Sequence, residues 1–472
     1  MDLIKRSVIF FAFLFAFSLA VPAAQLTVTV TGDNNDGICN AVCSLREAIQ
    51  AAGPSDEVVF SSLFNTPQTI DLTGGHITTN GITITGPGAN LLTVRSVIGL
   101  GPTSRIFNFN GSINLSGMTI TGGNVNGAGG GGIAIGSGTA LLNDVVVTGN
   151  SASGGVTAFS GGITMSGGLL IMNNCTVSNN TVSSPFEDTG GGIRVFGGEL
   201  QMTNSTVSGN VSTLGNFNGG GIYLHGPGTI TNSTITDNAT VGTQRASGLY
   251  NAGFDDIVMN NTIVAGNRNN ATHPDVTGQF ASTSSYNLIG NVGAATGLTA
   301  GNNNQLGNGT TQIDPLLSAL GDHGGTTPTH SPNIGSPAID QGNCPVVLTD
   351  QRGFARRIDQ APLNASGGDA SDIGAVEVPL ATAAGVLVGG RVLSAGMRPV
   401  SNAQIVMTDQ AGNIKTARTN PFGYFMFENV AAGRTYFFSV TSKSSRFDTH
   451  AITVQGELTD LNFIEVGSAG AK

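Results

Sequence analysis

The chain has no tryptophan, and only 10% of its 472 residues are charged. Lysine is confined to Lys5, Lys415, Lys443 and Lys472, so the whole middle of the sequence lacks it, and the formal charge is −10. That composition excludes a basic nucleic-acid surface and weighs against a middle region built to hold anionic polymers. Helical signal is missing as well, because no stretch sets Leu, Ala, Glu and Lys at helical spacing. Long apolar runs are missing except for residues 8–21, which follow Lys5 and Arg6 and end near Ala20, Ala23 and Ala24. That run is too short for a good membrane span and reads as a signal peptide. The chain is therefore expected to be exported, with no transmembrane segment after cleavage.

Cysteine is scarce, at positions 39, 43, 175 and 344. Export permits disulfides, and Cys39 and Cys43 are the expected pair. Closing so small a loop stabilises the start of the fold by roughly 2 kcal/mol. A metal site there would need two further ligands nearby, so no metal and no cofactor is expected. Cys175 stands where neighbouring repeats carry Ser205 and Ser233, and Cys344 has no obvious partner.

What the chain has in quantity is glycine, 70 residues of it, arranged with a period. Gly130-Gly131-Gly132-Ile133 returns as Gly161-Gly162-Ile163, Gly190-Gly191-Gly192-Ile193 and Gly219-Gly220-Gly221-Ile222, then weakens to Gly248-Leu249. A second phrase keeps the same beat, ending in Asn150, Asn180, Asn210, Asn238 and Asn267. Two motifs on one period mean stacked structural repeats. In the unit from Gly190 the apolar runs are Ile193 to Phe196, Leu200 to Met202 and Ser205 to Ser208. Three short β-branched strands per unit predict an all-β fold, a right-handed parallel β-helix. The glycines are read as corners needing positive φ or close backbone approach, since no helix follows to make a phosphate cradle. The five asparagines are read as a structural ladder at corners, where left-handed geometry comes easily to Asn. The alternative is a ligand-reading row or glycosylation acceptors, because Asn204-Ser205-Thr206 and Asn232-Ser233-Thr234 also satisfy the sequon.

Residues 1–24 read as the signal peptide, 25–54 as an N-terminal cap, 55–300 as the β-helix, and 301–378 as last coils and a C-terminal cap. Ser44, with Glu47 three residues on, marks the start of a short capping helix. Residues 379–385 form a linker. In residues 386–467 alternating strands and turns at Gly412-Asn413 and Asn420-Pro421-Phe422-Gly423 predict a small antiparallel β-sandwich.

The segment Cys43-Ser44-Leu45-Arg46-Glu47-Ala48 resembles the CSLREA motif that opens many secreted bacterial β-helix proteins. Ser336-Pro337-Ala338-Ile339-Asp340, Thr349-Asp350-Gln351-Arg352-Gly353 and Asp372-Ile373-Gly374-Ala375-Val376-Glu377 are similar to the closing signature of the choice-of-anchor Q domain. Gly389-Gly390-Arg391-Val392, Thr419-Asn420-Pro421-Phe422-Gly423-Tyr424 and Val440-Thr441-Ser442-Lys443 resemble carboxypeptidase regulatory-like domains, prealbumin-type sandwiches whose name implies no peptidase activity. The resemblance implies a pectin-lyase-like solenoid at the exterior of a bacterium, secreted or on the cell surface. In such proteins Cys often precedes the Asp-Ile-Gly-Ala phrase. Here that residue is Ser371, so Cys344 is expected to be a free thiol.

Pectin-lyase-like folds carry enzymes and adhesins alike, so the side chains must decide. A polyuronate lyase needs clustered carboxylates for its metal and a nearby base, and a hydrolase needs two carboxylates about 5 to 9.5 Å apart. Acids in the repeats are few, and none repeats in register with another. Asp255-Asp256, with Arg268 downstream, is the one catalytic candidate set, against the plainer reading of a solvated turn. His323 and His330 lie in the closing segment and are read as cap residues. The expected function is a secreted, non-enzymatic adhesion protein whose flanks meet extracellular glycans or matrix components. The alternative is a polysaccharide lyase or glycoside hydrolase led by Asp255 or Asp256.

Overall fold

Ile133, Ile163, Ile193, Ile222 and Leu249, the residues that follow the glycine corners, stack directly over one another. They lie in parallel register on successive rungs of an eight-stranded sheet and are all buried. The structure, a computed structural model, describes residues 23–379 and 385–468. Residues 98, 100–103, 155–158, 186–188, 214–217, 242–245, 254–255, 268–273, 361–362, 410–411, 432–433, 444 and 455–456 are outside the description. A 17-stranded sheet forms the second wall, with Leu142, Met172, Met202, Ile230 and Met259 in line and turned inward. Alternation along each strand puts every second side chain into this shared core. Each fully buried Ile or Leu contributes about 2 kcal/mol of transfer free energy.

The chain is thus a parallel β-solenoid whose regular coils distribute their main strand segments over three long sheets. In one coil they are Ile193–Phe196, Gly198–Thr203, Thr206–Ser208 and Val211–Thr213. The last belongs to a separate five-stranded sheet. Its inward residue is Ser212, stacked between Val182 and Thr240, so it carries little apolar signal. The glycine corners work mainly through close approach. Only Gly130 among the repeated triplets has positive φ, whereas a Cβ on Gly192 would meet the Asn210 amide at 2.8 Å.

At the N-terminal end, Leu45–Ala51 is a helix held by a capping box, in which Ser44 Oγ accepts from Glu47 N and Glu47 Oε2 accepts from Ser44 N. Glu47 Oε1 accepts from Asp36 N as well. Buried Arg46 donates to both oxygens of Asp33 at 2.8 and 2.9 Å and to the carbonyls of Gly75 and His76. Cys39 and Cys43 form a disulfide just before the helix. Leu45, Ala48 and Ile49 close the end of the core. Polar and apolar residues of this motif therefore all serve the cap.

The last rung is Gln305–Leu306, paired with Leu288–Ile289. Residues 313–378 depart from the expected cap, because they lie along the side of the solenoid as a strap rather than over its end. Thr327 Oγ1 donates to Asn174 O, Thr206 Oγ1 donates to Gln351 Oε1, Asn204 Nδ2 donates to Thr349 O, and Asn261 Nδ2 donates to Asp372 O. The strap thus spans several coils and covers the column Thr176, Thr206, Thr234 and Ile263, all of them buried.

Residues 379–472 form a second compact unit. One of its sheets has the strand Gly385–Leu393 between Tyr424–Ala431, antiparallel, and Leu458–Ile464, parallel. The other is antiparallel, with Gln404–Asp409 between Ile414–Arg418 and Arg434–Thr441. Their shared core includes Val392, Ile405, Phe425, Phe427, Phe438 and Phe463. The expected sandwich is present with one parallel pair in it, a departure that local strand pattern cannot signal because the partners are far apart in sequence.

Candidate functional site

The polar columns of the solenoid decide which surfaces are open. Asn150 donates through its backbone N and Nδ2 to Asn180 Oδ1, both at 3.0 Å, and Asn180 repeats this to Asn210, Asn210 to Asn238, and Asn238 to Asn267. Asn267 ends the series on Asp275 Oδ1 at 2.9 Å. All five amides are buried, so this column reads no external ligand. Left-handed backbone falls not on these residues but on the ones before them, Gly149, Asn179, Gly209, Asp237 and Gly266. Asp275 takes the place of an amide at the end of the ladder. Burial pushes its carboxyl up to about 6 despite the amides it accepts from.

A second column, Asp144, Asn174, Asn204, Asn232 and Asn261, has φ between 47° and 54°. The strap seats on it. Arg356 Nη2 donates to Asn204 Oδ1, and Asn232 Nδ2 points at Cys344 Sγ at 3.4 Å. Asn204 and Asn232 are therefore buried and are not exposed glycosylation acceptors in the folded chain. The next residue in register is Tyr286, also left-handed at φ 54°. Asn tolerates this geometry, but for Tyr it costs on the order of 1–3 kcal/mol. Such strain is held in place by the surroundings, here including a bond from the Tyr286 hydroxyl to Ser366 O.

Tyr286 lies in the wall of a cleft of about 570 Å³. One side is the half-buried outward row of the long sheet, in which Asn143, Asn173, Thr203, Thr231 and Asn260 stand in register. The last three reach the cleft. The other side is the strap segment from Asn343 to Val347, with Val346 85% exposed. Hydroxyls and amides thus face an apolar strip across an open groove. Successive rungs are about 4.8 Å apart, a spacing that suits an extended polymer. A second hollow of about 510 Å³ is lined by Asp237, Asp275 and Asp314. Asp275 is engaged in the ladder and Asp314 accepts from Leu316 N.

The catalytic candidates are not brought together by anything described. Asp256 is exposed and accepts from Gln279 Nε2, while Asp255 and Arg268 lie outside the described residues. His323 bonds Ser318 and Ala319 within the strap. His330 is buried between Ser208 and Ser318 O, and burial holds its pKa below the usual value. Among the described residues no group of His, Cys, Asp and Glu is placed to hold a metal ion. Cys175 and Cys344 are free thiols and both buried. Sequence reasoning did not find Tyr286 or the cleft. The available signal was Tyr286-Asn287-Leu288-Ile289 falling on the beat of Asn261-Thr262-Ile263-Val264. Compared with known proteins, the chain matches no family model and no curated sequence.

Proposed function

We propose that the protein is a secreted or cell-surface recognition protein, non-enzymatic, whose solenoid binds an extended glycan or matrix polymer in the cleft beside the strap. The observation that supports this most is Tyr286, an aromatic residue held left-handed in the wall of a groove otherwise lined by Thr, Ser, Asn and strap residues. A tyrosine ring offers an apolar face to a sugar while its neighbours meet hydroxyls. The signal-like N-terminus, the CSLREA-like cap motif and the choice-of-anchor-like closing phrases support an exported bacterial protein.

The test uses Tyr286→Asn. Asn suits the left-handed backbone, so the variant should keep or slightly raise the thermal midpoint, while binding on a glycan array falls about tenfold. A reducing-end release assay on the same polysaccharides runs in parallel. Undiminished binding removes the cleft from the reading. Sugar release that depends on Asp255 or Asp256 replaces it with a lyase or hydrolase.

A further inference from the structure

Charge is divided unevenly along the chain. Residues 1–378 carry 11 Lys and Arg against 23 Asp and Glu, whereas residues 379–472 carry 8 against 6. Within the second unit the cations are gathered further. The strand Gly385–Leu393 ends before the turn bearing Arg398, Ile414–Arg418 ends in Arg418, and Arg434–Thr441 ends two residues before Lys443. All three cations line one open groove of about 730 Å³, and no Asp or Glu is among its described lining residues.

The register explains the shape. Gln404 stands between Arg418 on one neighbouring strand and Thr441 on the other, so the three share the outer face, opposite buried Ile405. Arg418 Nη1 donates to Asn402 Oδ1 at 3.1 Å, which holds one cation at the groove. Between the charges lie hydroxyls and amides, among them Asn402, Gln404 and Ser442. Glu465 is engaged by the turn that bears Arg398, accepting from Ala395 N. The hollow at the other end of the unit has about 180 Å³ and mixes Asp409 with Lys415 and Arg434.

We propose that this groove binds an anionic saccharide, a sugar carrying carboxylate or sulfate groups. Arg398, Arg418 and Lys443 meet the charge, and Asn402, Gln404 and Ser442 meet the hydroxyls. Arginine forks suit planar carboxylate and sulfate oxygens. A single-stranded nucleic acid would want aromatic stacking platforms, and none is among the described lining residues of the groove. A lipid surface would use exposed apolar tips, and no large exposed hydrophobic is among the groove's described lining residues, Met397 and Phe422 being exposed on the adjoining turns. This site does not depend on the solenoid cleft.

The experiment measures binding of the full chain to polygalacturonate, dextran sulfate, uncharged dextran and phosphatidylserine vesicles, at low and raised salt. Arg398→Gln, Arg418→Gln and Lys443→Gln are compared with Lys415→Gln and Arg434→Gln, which remove the same charge at the other end. Thermal midpoints check that each variant folds, and Tyr286→Asn serves as the solenoid control. The expected result is salt-sensitive binding to one or both anionic polymers but not to dextran. Each groove variant should weaken it about tenfold while the control variants leave it unchanged. Preference between the two polymers assigns the anionic group. Equal losses in groove and control variants, binding to vesicles alone, or no binding to either polymer would overturn the proposal.

Discussion

Asn210 sits in the middle of the buried ladder, accepting from Asn180 while donating to Asn238 Oδ1 at 2.8 Å and Val177 O at 2.9 Å. Each amide thus satisfies backbone and side-chain groups on two rungs, and no water can replace it without a cavity. Asn210→Ala should lower stability by roughly 1–3 kcal/mol for each group left unpaired. Asn210→Asp should do worse, roughly 3–5 kcal/mol, because it buries an uncompensated charge against acceptors. Denaturant midpoints of the two variants check the order, and an Asp variant as stable as wild type would contradict the ladder's role. Cys344 offers a different test of burial. The thiol is free but only 3% exposed, and burial raises its pKa, as it pushes that of Cys175 up to about 12. Thiolate reagents should therefore modify neither residue in the native protein and both in guanidinium chloride. Labelling that stays absent after denaturation would mean that the two are oxidised.

The strap is the element through which pH should reach the fold. Asp340, Asp372 and Glu377 are buried in it, and desolvation is the first cause that raises each of their pKa values. Arg356, 3.9 Å from Glu377, opposes this without cancelling it, and Asp340 Oδ1 has no hydrogen-bond partner among the described residues. The folded protein therefore holds protons that the unfolded chain releases near pH 4. Between that value and neutrality the native state binds more protons, so stability falls as pH rises. Asp275, raised to about 6, acts in the same direction, and buried His330, whose lowered pKa acts in the opposite sense below pH 6.5, is one group against four. The thermal midpoint should accordingly be higher at pH 5 than at pH 8, and a flat or rising profile would show these carboxyls to be ionised without penalty. The strap also marks where the sequence stops being legible. The coils are legible because Ile, Val, Gly and Asn repeat at fixed spacing. The short capping helix is legible from Ser44 and Glu47. Residues 313–378 have no period, and their partners, such as Gln351 to Thr206 and Arg356 to Asn204, lie more than a hundred residues away. Only the fold shows that the expected cap lies on the flank and so creates the cleft at Tyr286.

At the scale of the whole molecule, two units solve the burial problem differently. The solenoid spreads its core over many rungs, each of which touches only its neighbours, so its stability accumulates coil by coil. The second unit concentrates its core in a few aromatic residues, and a domain of that size has little stability to spare. Phe438 is fully buried there, with ring centres 6.2 Å from Phe427 and 6.1 Å from Phe463. Phe438→Ala should cost roughly 3–5 kcal/mol, enough to unfold a small domain or nearly so. Because the core clusters of the two units share no residue, the solenoid should keep its own transition. Calorimetry of the full chain should therefore show the lower transition weakened or lost and the higher one unmoved. The same variant should lose polygalacturonate or dextran sulfate binding if the cationic groove holds it, while any glycan bound beside Tyr286 stays bound. Loss of both transitions together would instead mean that the acidic solenoid and the cationic unit fold as one.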